Sequence, residues 1–225
     1  MTTAGGRAEA VRARPAPGRL LPLGGAGDGA WLTERAARAV LGAAAVRGVV
    51  VESLRIGLAD PEEVAEHAVP PPPGALPPGP LRIETECAVA SDEPIPAVAE
   101  RLRAALLTAS TELLDLAVTA VDLRVTELLD ELPQPREADR STGVRAAAPQ
   151  GDVGHAVAAV PGVAHLTDVL GAPVGVDDRA VRVECAVAPG HRPLAVALAV
   201  RAAVTPLLPS PVPVTVLITD VPAGA

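Results

Sequence analysis

Phenylalanine, tyrosine, asparagine and lysine are all missing from this chain of 225 residues. Aromatic character rests on Trp31 alone, and all 19 basic residues are arginine. The shared depletion of residues with AT-rich codons, beside abundant Ala, Gly, Pro and Arg, marks a GC-rich coding sequence. Each gap excludes a chemistry. Without lysine there is no Schiff-base nucleophile and no phosphate-loop lysine. Without tyrosine there is no phenolic acid or base. One tryptophan cannot supply the series of stacking platforms that single-stranded nucleic acid requires. Two cysteines, Cys87 and Cys185, are too few for a disulfide scaffold. Arg7, Arg12 and Arg14 interrupt any apolar leader. The longest uncharged apolar run, 202–219, carries Pro206, Pro209, Pro211 and Pro213, which no ordinary spanning helix tolerates. The expectation is a soluble, cytoplasmic protein.

What is present points to a folded chain. Hydrophobic residues make up 49% of it, enough for a core, although 25 Pro and 20 Gly break the chain often. The length suits one large or two small domains. A net charge of −8 disfavours the nucleic-acid backbone as main partner. Residues 1–27 run against that balance, with Arg7, Arg12, Arg14 and Arg19 against Glu9, and read as a disordered N-terminal arm.

The most informative feature is a duplication. Glu86-Cys87-Ala88-Val89-Ala90 recurs as Glu184-Cys185-Ala186-Val187-Ala188, so both cysteines fall on the match. The same offset aligns Ala97-Val98-Ala99 with Ala195-Val196-Ala197, and Arg103-Ala104-Ala105 with Arg201-Ala202-Ala203. Upstream, Val46 to Val49 resembles Val160 to Val163; downstream, Val121 to Leu128 resembles Val214 to Val221. The second copy lacks the Pro-rich stretch from Pro70 to Pro80.

Each copy reads as helix, strand, strand, helix, strand. Apolar residues at helical spacing predict a first helix over 31–46 with Asp28 as N-cap. Alternation predicts strands with Leu54, Ile56 and Leu58, then Leu81, Ile83, Cys87 and Val89, on the buried side. A stripe from Ile95 through Val98, Leu102, Leu106, Ala109 and Leu113 to Leu116 predicts the second helix. Val121, Leu123 and Val125 face inward on the last strand. The fold class is α+β: two tandem two-layer αββαβ domains, each a small mixed sheet with helices on one face. The expected organisation is an arm at 1–27, a first domain at 28–130 with an irregular Pro-rich insertion at about 61–80, a linker at 131–149, and a shorter second domain at 150–222.

These periods resemble the alkaline shock protein family, also called general stress or envelope stress response proteins. Ile95, Val98, Ala99, Leu102 and Leu106 stand where the family reads I-x-x-V-A-x-x-[LI]-x-x-x-[LV]. Leu116, Val118, Val121, Leu123 and Val125 follow its last strand. The likeness spans most of 31–128 and, in the second copy, 152–221. The segments RLLPLGG (19–25) and LRIGLADPE (54–62) look like an uncharacterised actinobacterial branch. Two copies, the Pro-rich insertion, and the lack of Tyr-Gly before the second helix depart from the family pattern. The resemblance implies a non-enzymatic scaffold or interaction protein linked to the envelope stress response. It also implies a protein partner or self-association, and indirect membrane association through partners.

No catalytic motif, metal-ligand spacing or cofactor signature competes strongly. The alternative is a nucleotide-binding enzyme: Gly25 and Gly27 belong to a G-x-G-x-x-A run that would open a helix, with Glu52 on the ribose. His67, His155, His165 and His191 have no ligand spacing, though His155 and His165 with Asp168 could meet. Glu84, Glu86 and Glu184 read as solvated, Cys87 and Cys185 as core, and Trp31 as an anchor for the first helix. If the uncovered sheet face binds a partner, Arg55, Arg82, Glu84, Asp122 and Arg124 line it.

Overall fold

A computed structural model describes residues 17–44, 46–131, 143–176 and 180–222. In chain order they form β1 (Leu20–Leu23), β2 (Ala30–Thr33), α1 (Glu34–Ala43), β3 (Val49–Leu58), β4 (Leu81–Ala90), α2 (Ile95–Glu112) and β5 (Val118–Leu129). There follow β6 (Ala146–Ala147), α3 (Gly151–Ala158), β7 (Val163–Thr167), β8 (Val174–Val176), β9 (Val181–Val187), α4 (Pro193–Val204) and β10 (Val214–Asp220). The α+β class stands. Among the described residues, no helix is long and apolar enough to cross a membrane.

The duplication is visible in the ladders. In the first copy β3 runs antiparallel to β4 and β5 parallel to it. In the second, β7 and β8 are antiparallel to β9 and β10 is parallel to it. Val49 pairs with Val89 and Val163 with Val187, the register that the sequence alignment gives. Gly48 and Gly162 enter the first strands with φ of 86° and 91°, a conformation that suits glycine, and their carbonyls accept from the amides of Ala90 and Ala188, the last residues of the cysteine motif. The parallel ladders bulge at equivalent residues, Thr126 and Thr219. Each threonine Oγ1 donates to the carbonyl of its copy's cysteine, at 3.1 Å for Cys87 and 3.3 Å for Cys185.

Several expectations need correction. The first helix does not begin at Trp31, nor does Asp28 cap it. Ala30–Thr33 is a strand buried on both faces, and α1 starts at Glu34, where Thr33 Oγ1 accepts from the Ala36 amide (3.3 Å). Tertiary burial outweighs the helical spacing of Trp31 and Leu32. The arm is ordered from residue 17, and residues 1–16 lie outside the described set. Leu20–Leu23 pairs antiparallel with β2, which pairs parallel with β10. Pro22 is accommodated because β1 is an edge strand. Within the linker, Ala146–Ala147 pairs with β7, whereas 132–142 lies outside the described residues. The second sheet is therefore not small: among the described residues it has seven strands, against three in the first.

The copies do not keep separate interiors. One continuous apolar core holds Ile83, Cys87, Leu102 and Leu106 of the first together with Val183, Cys185, Val200 and Val216 of the second. Helix α1 packs on α2 and β3 and also on β2 and β10. At the far side, Asp115 reaches from the end of the first copy's second helix to α4. Its Oδ2 accepts from the Leu194 amide (3.0 Å) and Oδ1 pairs with Arg192, so one copy caps a helix of the other. The predicted stripe of α2 is buried at Val98, Leu102, Leu106 and Ala109, while Ile95 and Leu113 at its ends are exposed.

The Pro-rich insertion is not a free loop. It straps the outer face of the seven-stranded sheet, where Val69 packs with Leu20, Trp31 and Leu217 in a second apolar cluster. The Leu20 amide donates to the Gly74 carbonyl (3.2 Å) and the Leu76 amide to the Leu20 carbonyl (2.8 Å). Gly29, at φ 57°, keeps this junction tight: a Cβ there would lie 2.8 Å from the Val214 carbonyl oxygen. Trp31 thus anchors a strap and a sheet, not a helix. Replacing Val69 by Ala removes two buried methyl-sized groups and should cost ~2 kcal/mol. The same variant should shift the emission of Trp31 to longer wavelength in the native state, and urea titration with fluorescence detection reads both effects.

Candidate functional site

The outer face of the three-stranded sheet carries the polar side chains of an alternating pattern, and nothing among the described residues covers it. Register sets Arg55 beside Glu84 and Glu84 beside Asp122 in one row, and Ser53, Glu86 and Arg124 in the next. All five residues expected on this face, Arg55, Arg82, Glu84, Asp122 and Arg124, are brought together there. Arg82 Nη1 meets Asp122 Oδ2 at 3.0 Å, and Arg124 Nη1 meets Glu86 Oε1 at 3.2 Å. Ser53 Oγ donates to the other Glu86 oxygen (3.2 Å). These pairs are exposed, so each contributes at most about 1 kcal/mol. Among the described residues the side chains of Arg55 and Glu84, at the centre, make no hydrogen bond or ion pair. Together the face forms a shallow groove of ≈ 480 Å³ lined by Ser53, Arg55, Glu84, Glu86, Asp122 and Arg124. A second groove continues from Arg55 and Glu84 toward Arg19 and Arg82.

The equivalent face of the second copy is closed. Where the first copy has Glu86, Asp122 and Arg124, the second has Glu184, Thr215 and Leu217. Leu217 lies beside Trp31 and packs with Val69 of the strap, and Thr215 Oγ1 donates to the Pro70 carbonyl (3.4 Å). Glu184 was expected to be solvated. It points outward from the sheet but is fully buried beneath the segment that carries Leu170. Its Oε2 accepts from the Leu170 amide (2.9 Å), and Arg182 Nε lies 3.3 Å from Oε1. Glu84 and Glu86 keep the exposure expected of them at least in part, with Glu84 exposed and Glu86 half-buried.

The dinucleotide arrangement is not formed. The glycine run joins two antiparallel strands and opens no helix, because α1 begins only at Glu34. The Gly25 amide donates to Asp28 Oδ2 (2.7 Å), so the turn holds its own carboxylate where a phosphate would need an amide. Arg201 Nη1 donates to the Gly27 carbonyl (2.8 Å) and to that of Asp28. Glu52 belongs to β3 in the other sheet, where its Oε2 lies 2.7 Å from Thr126 Oγ1 and shares that hydroxyl's one hydrogen with the Cys87 carbonyl. Gly25, Gly27 and Glu52 do not form one site.

The histidines remain apart. His155 Nδ1 lies 2.7 Å from the Gly151 carbonyl of its own helix, and His67 stands 6.0 Å from the Trp31 ring. Among the described residues no three His, Cys, Asp or Glu side chains group to hold a metal. Cys87 and Cys185 are both free and buried. Loss of solvent pushes the Cys185 thiol up to about 12, and burial raises Cys87 as well. Neither is a ready nucleophile.

No family model, curated protein or solved structure matches this chain. The class defined by fold and surface is an α+β protein with one covered sheet and one open, charged sheet.

Burial raises the Glu184 carboxyl above the usual glutamate range, against the pull of the Leu170 amide and Arg182. The native state then keeps this proton at pH values where the unfolded chain, with a glutamate pKa of about 4.3, has lost it. Native protein binds more protons in that window, so the contribution to stability falls as pH rises from there toward the native pKa. Glu184→Gln, which cannot ionise, should gain on the wild type in urea midpoint as pH rises through this window. Midpoints measured for both proteins at matched pH check it.

Proposed function

We propose that this is a non-catalytic interaction protein of alkaline-shock-like build, acting in the cytoplasm. It binds a protein partner through the outer face of its three-stranded sheet. The observation that carries this reading is the divergence of two equivalent faces. One copy carries Thr215 and Leu217 at outward positions, beneath the strap and beside Trp31. The other kept its charges in the open, with Arg55 and Glu84 uncommitted at the centre. A face of mixed sign suits a partner of mixed sign, and the net charge of −8 favours protein over nucleic acid. The stress link and the indirect membrane association belong to the same proposal and follow from the resemblance. Protein level under alkaline or envelope stress tests the first, and co-fractionation with membranes through a captured partner tests the second.

Charge reversal tests the surface. Arg55→Glu and Glu84→Arg are exposed changes and should leave stability within about 0.5 kcal/mol. Proximity labelling and co-purification should lose the partner set of the wild type in both variants. An unchanged partner set with either variant contradicts the assignment of this face.

A further inference from the structure

The two copies differ at one more place, the outer edge of the third strand. In the second copy that strand is β10, and its edge is filled: β2 pairs with it in parallel, with Val216, Leu217 and Ile218 opposite Ala30, Trp31 and Leu32. In the first copy the equivalent strand is β5. Among the described residues it pairs only with β4, so one edge of a 12-residue strand has no neighbour. Such an edge is a template for another strand. The Val121 carbonyl faces off this edge, where Arg103 Nε reaches it from α2 (3.3 Å). By the two-residue alternation of a strand, the N–H and C=O of Leu123 and Val125 face the same way. The bulge at Thr126 ends the regular stretch.

We propose that two copies of this chain join edge to edge along β5, antiparallel about a two-fold axis through Leu123, so that their three-stranded sheets become one sheet of six. The choice of a second copy rests on self-complementarity. About Leu123, residues equally distant on either side meet. Asp122 then faces Arg124 of the second copy, and the symmetry makes this contact twice. Val121 faces Val125, and Leu123 faces itself. Leu123 exchanges backbone hydrogen bonds with its twin. Asp122 and Arg124 therefore occupy the non-hydrogen-bonded positions, where opposed residues come closest, at about 4.5 Å between Cα atoms. Within one copy Asp122 pairs with Arg82 and Arg124 with Glu86, yet both side chains stay 58% and 77% exposed, so each can meet the opposite charge of the second copy as well. An isologous contact of this kind closes on itself and does not propagate into fibres.

This inference is independent of the partner reading, because Arg55 lies on β3, across the sheet from the β5 edge. Arg55→Glu should leave self-association unchanged, so the two readings fail separately. The test uses the full chain in sedimentation velocity over a wide concentration range. The wild type should form a dimer. Asp122→Arg sets arginines against each other twice and should weaken the dimer by about tenfold or more. Arg124→Asp should do the same with carboxylates. The double exchange Asp122→Arg with Arg124→Asp restores opposite charges and should recover most of the affinity, with circular dichroism confirming the fold of each variant. In hydrogen exchange, the Leu123 and Val125 amides should become protected as concentration rises. A chain that stays monomeric at every concentration overturns the proposal. So does a dimer indifferent to Asp122→Arg, which forms elsewhere, and so does concentration-independent protection of Leu123 and Val125, which means that the same chain covers its own edge.

Discussion

Ala30–Thr33 and Glu34–Ala43 follow one another without a connecting residue, and each belongs to a different half of the molecule. The strand hydrogen-bonds along β10 of the second copy, while the helix packs on β3 and α2 of the first. That junction joins the two copies into one core. Glu34 strengthens it from the helix start: its Oε1 accepts from the Ile56 amide (3.0 Å) and its Oε2 from the Arg19 amide (3.2 Å). A carboxylate in the first helical turn is favoured by the helix dipole, and here it also blunts the edge of β3. Arg19 Nη1 adds a bond to the Ile56 carbonyl (3.1 Å) on the same edge. One edge of the first sheet is thus closed by polar side chains, and the other, along β5, has no strand neighbour among the described residues and meets only Arg103 at the Val121 carbonyl.

Fusion of the copies lets their outer faces diverge. The hairpin and the Pro-rich strap both come from the first copy's half of the sequence, yet the hairpin extends the second copy's sheet and the strap covers its outer face at Leu217. With Trp31 beside it and Val69 packed against it, an apolar residue at 217 is favourable, since burial of apolar area stabilises by roughly 25 cal/mol per Å². The first copy has no such cover and retains a polar, half-solvated antiparallel pair with a parallel neighbour. Glu184 is buried for a different reason than Leu217: the second copy's own segment at Leu170 closes over it, whereas Glu86, its equivalent, stays half-solvated.

The repeat and its register were legible because they rest on period-two alternation and on a rare residue. Cys87 and Cys185 mark the same position of equivalent strands, and Thr126 and Thr219 donate to their carbonyls. The charged face was legible for the same reason: Arg82, Glu84, Asp122 and Arg124 alternate with buried residues. What escaped was long-range. No local pattern tells that residues 30–33 are a strand of the other half's sheet, because four apolar-rich residues before a helix fit a helical period equally well. The strap reads as solvated polyproline until Val69 is seen against Trp31 and Leu20 is seen bonded to Gly74 and Leu76. One signal was present and unread: Val214-Thr215-Val216-Leu217-Ile218 does not alternate as Val121-Asp122-Leu123-Arg124-Val125 does, and a strand without alternation is buried on both faces.

The central claim is that two duplicated units have fused into one cooperative core with one face closed and one open. The cysteines provide the most direct measurement, since one lies at the same position in each copy. Thiol labelling of Cys87 and Cys185, resolved by mass spectrometry across a denaturant titration, should give one midpoint for both, coincident with the fluorescence change of Trp31. Exposure of Cys87 at clearly lower denaturant than Cys185 would show two independent domains and contradict the account.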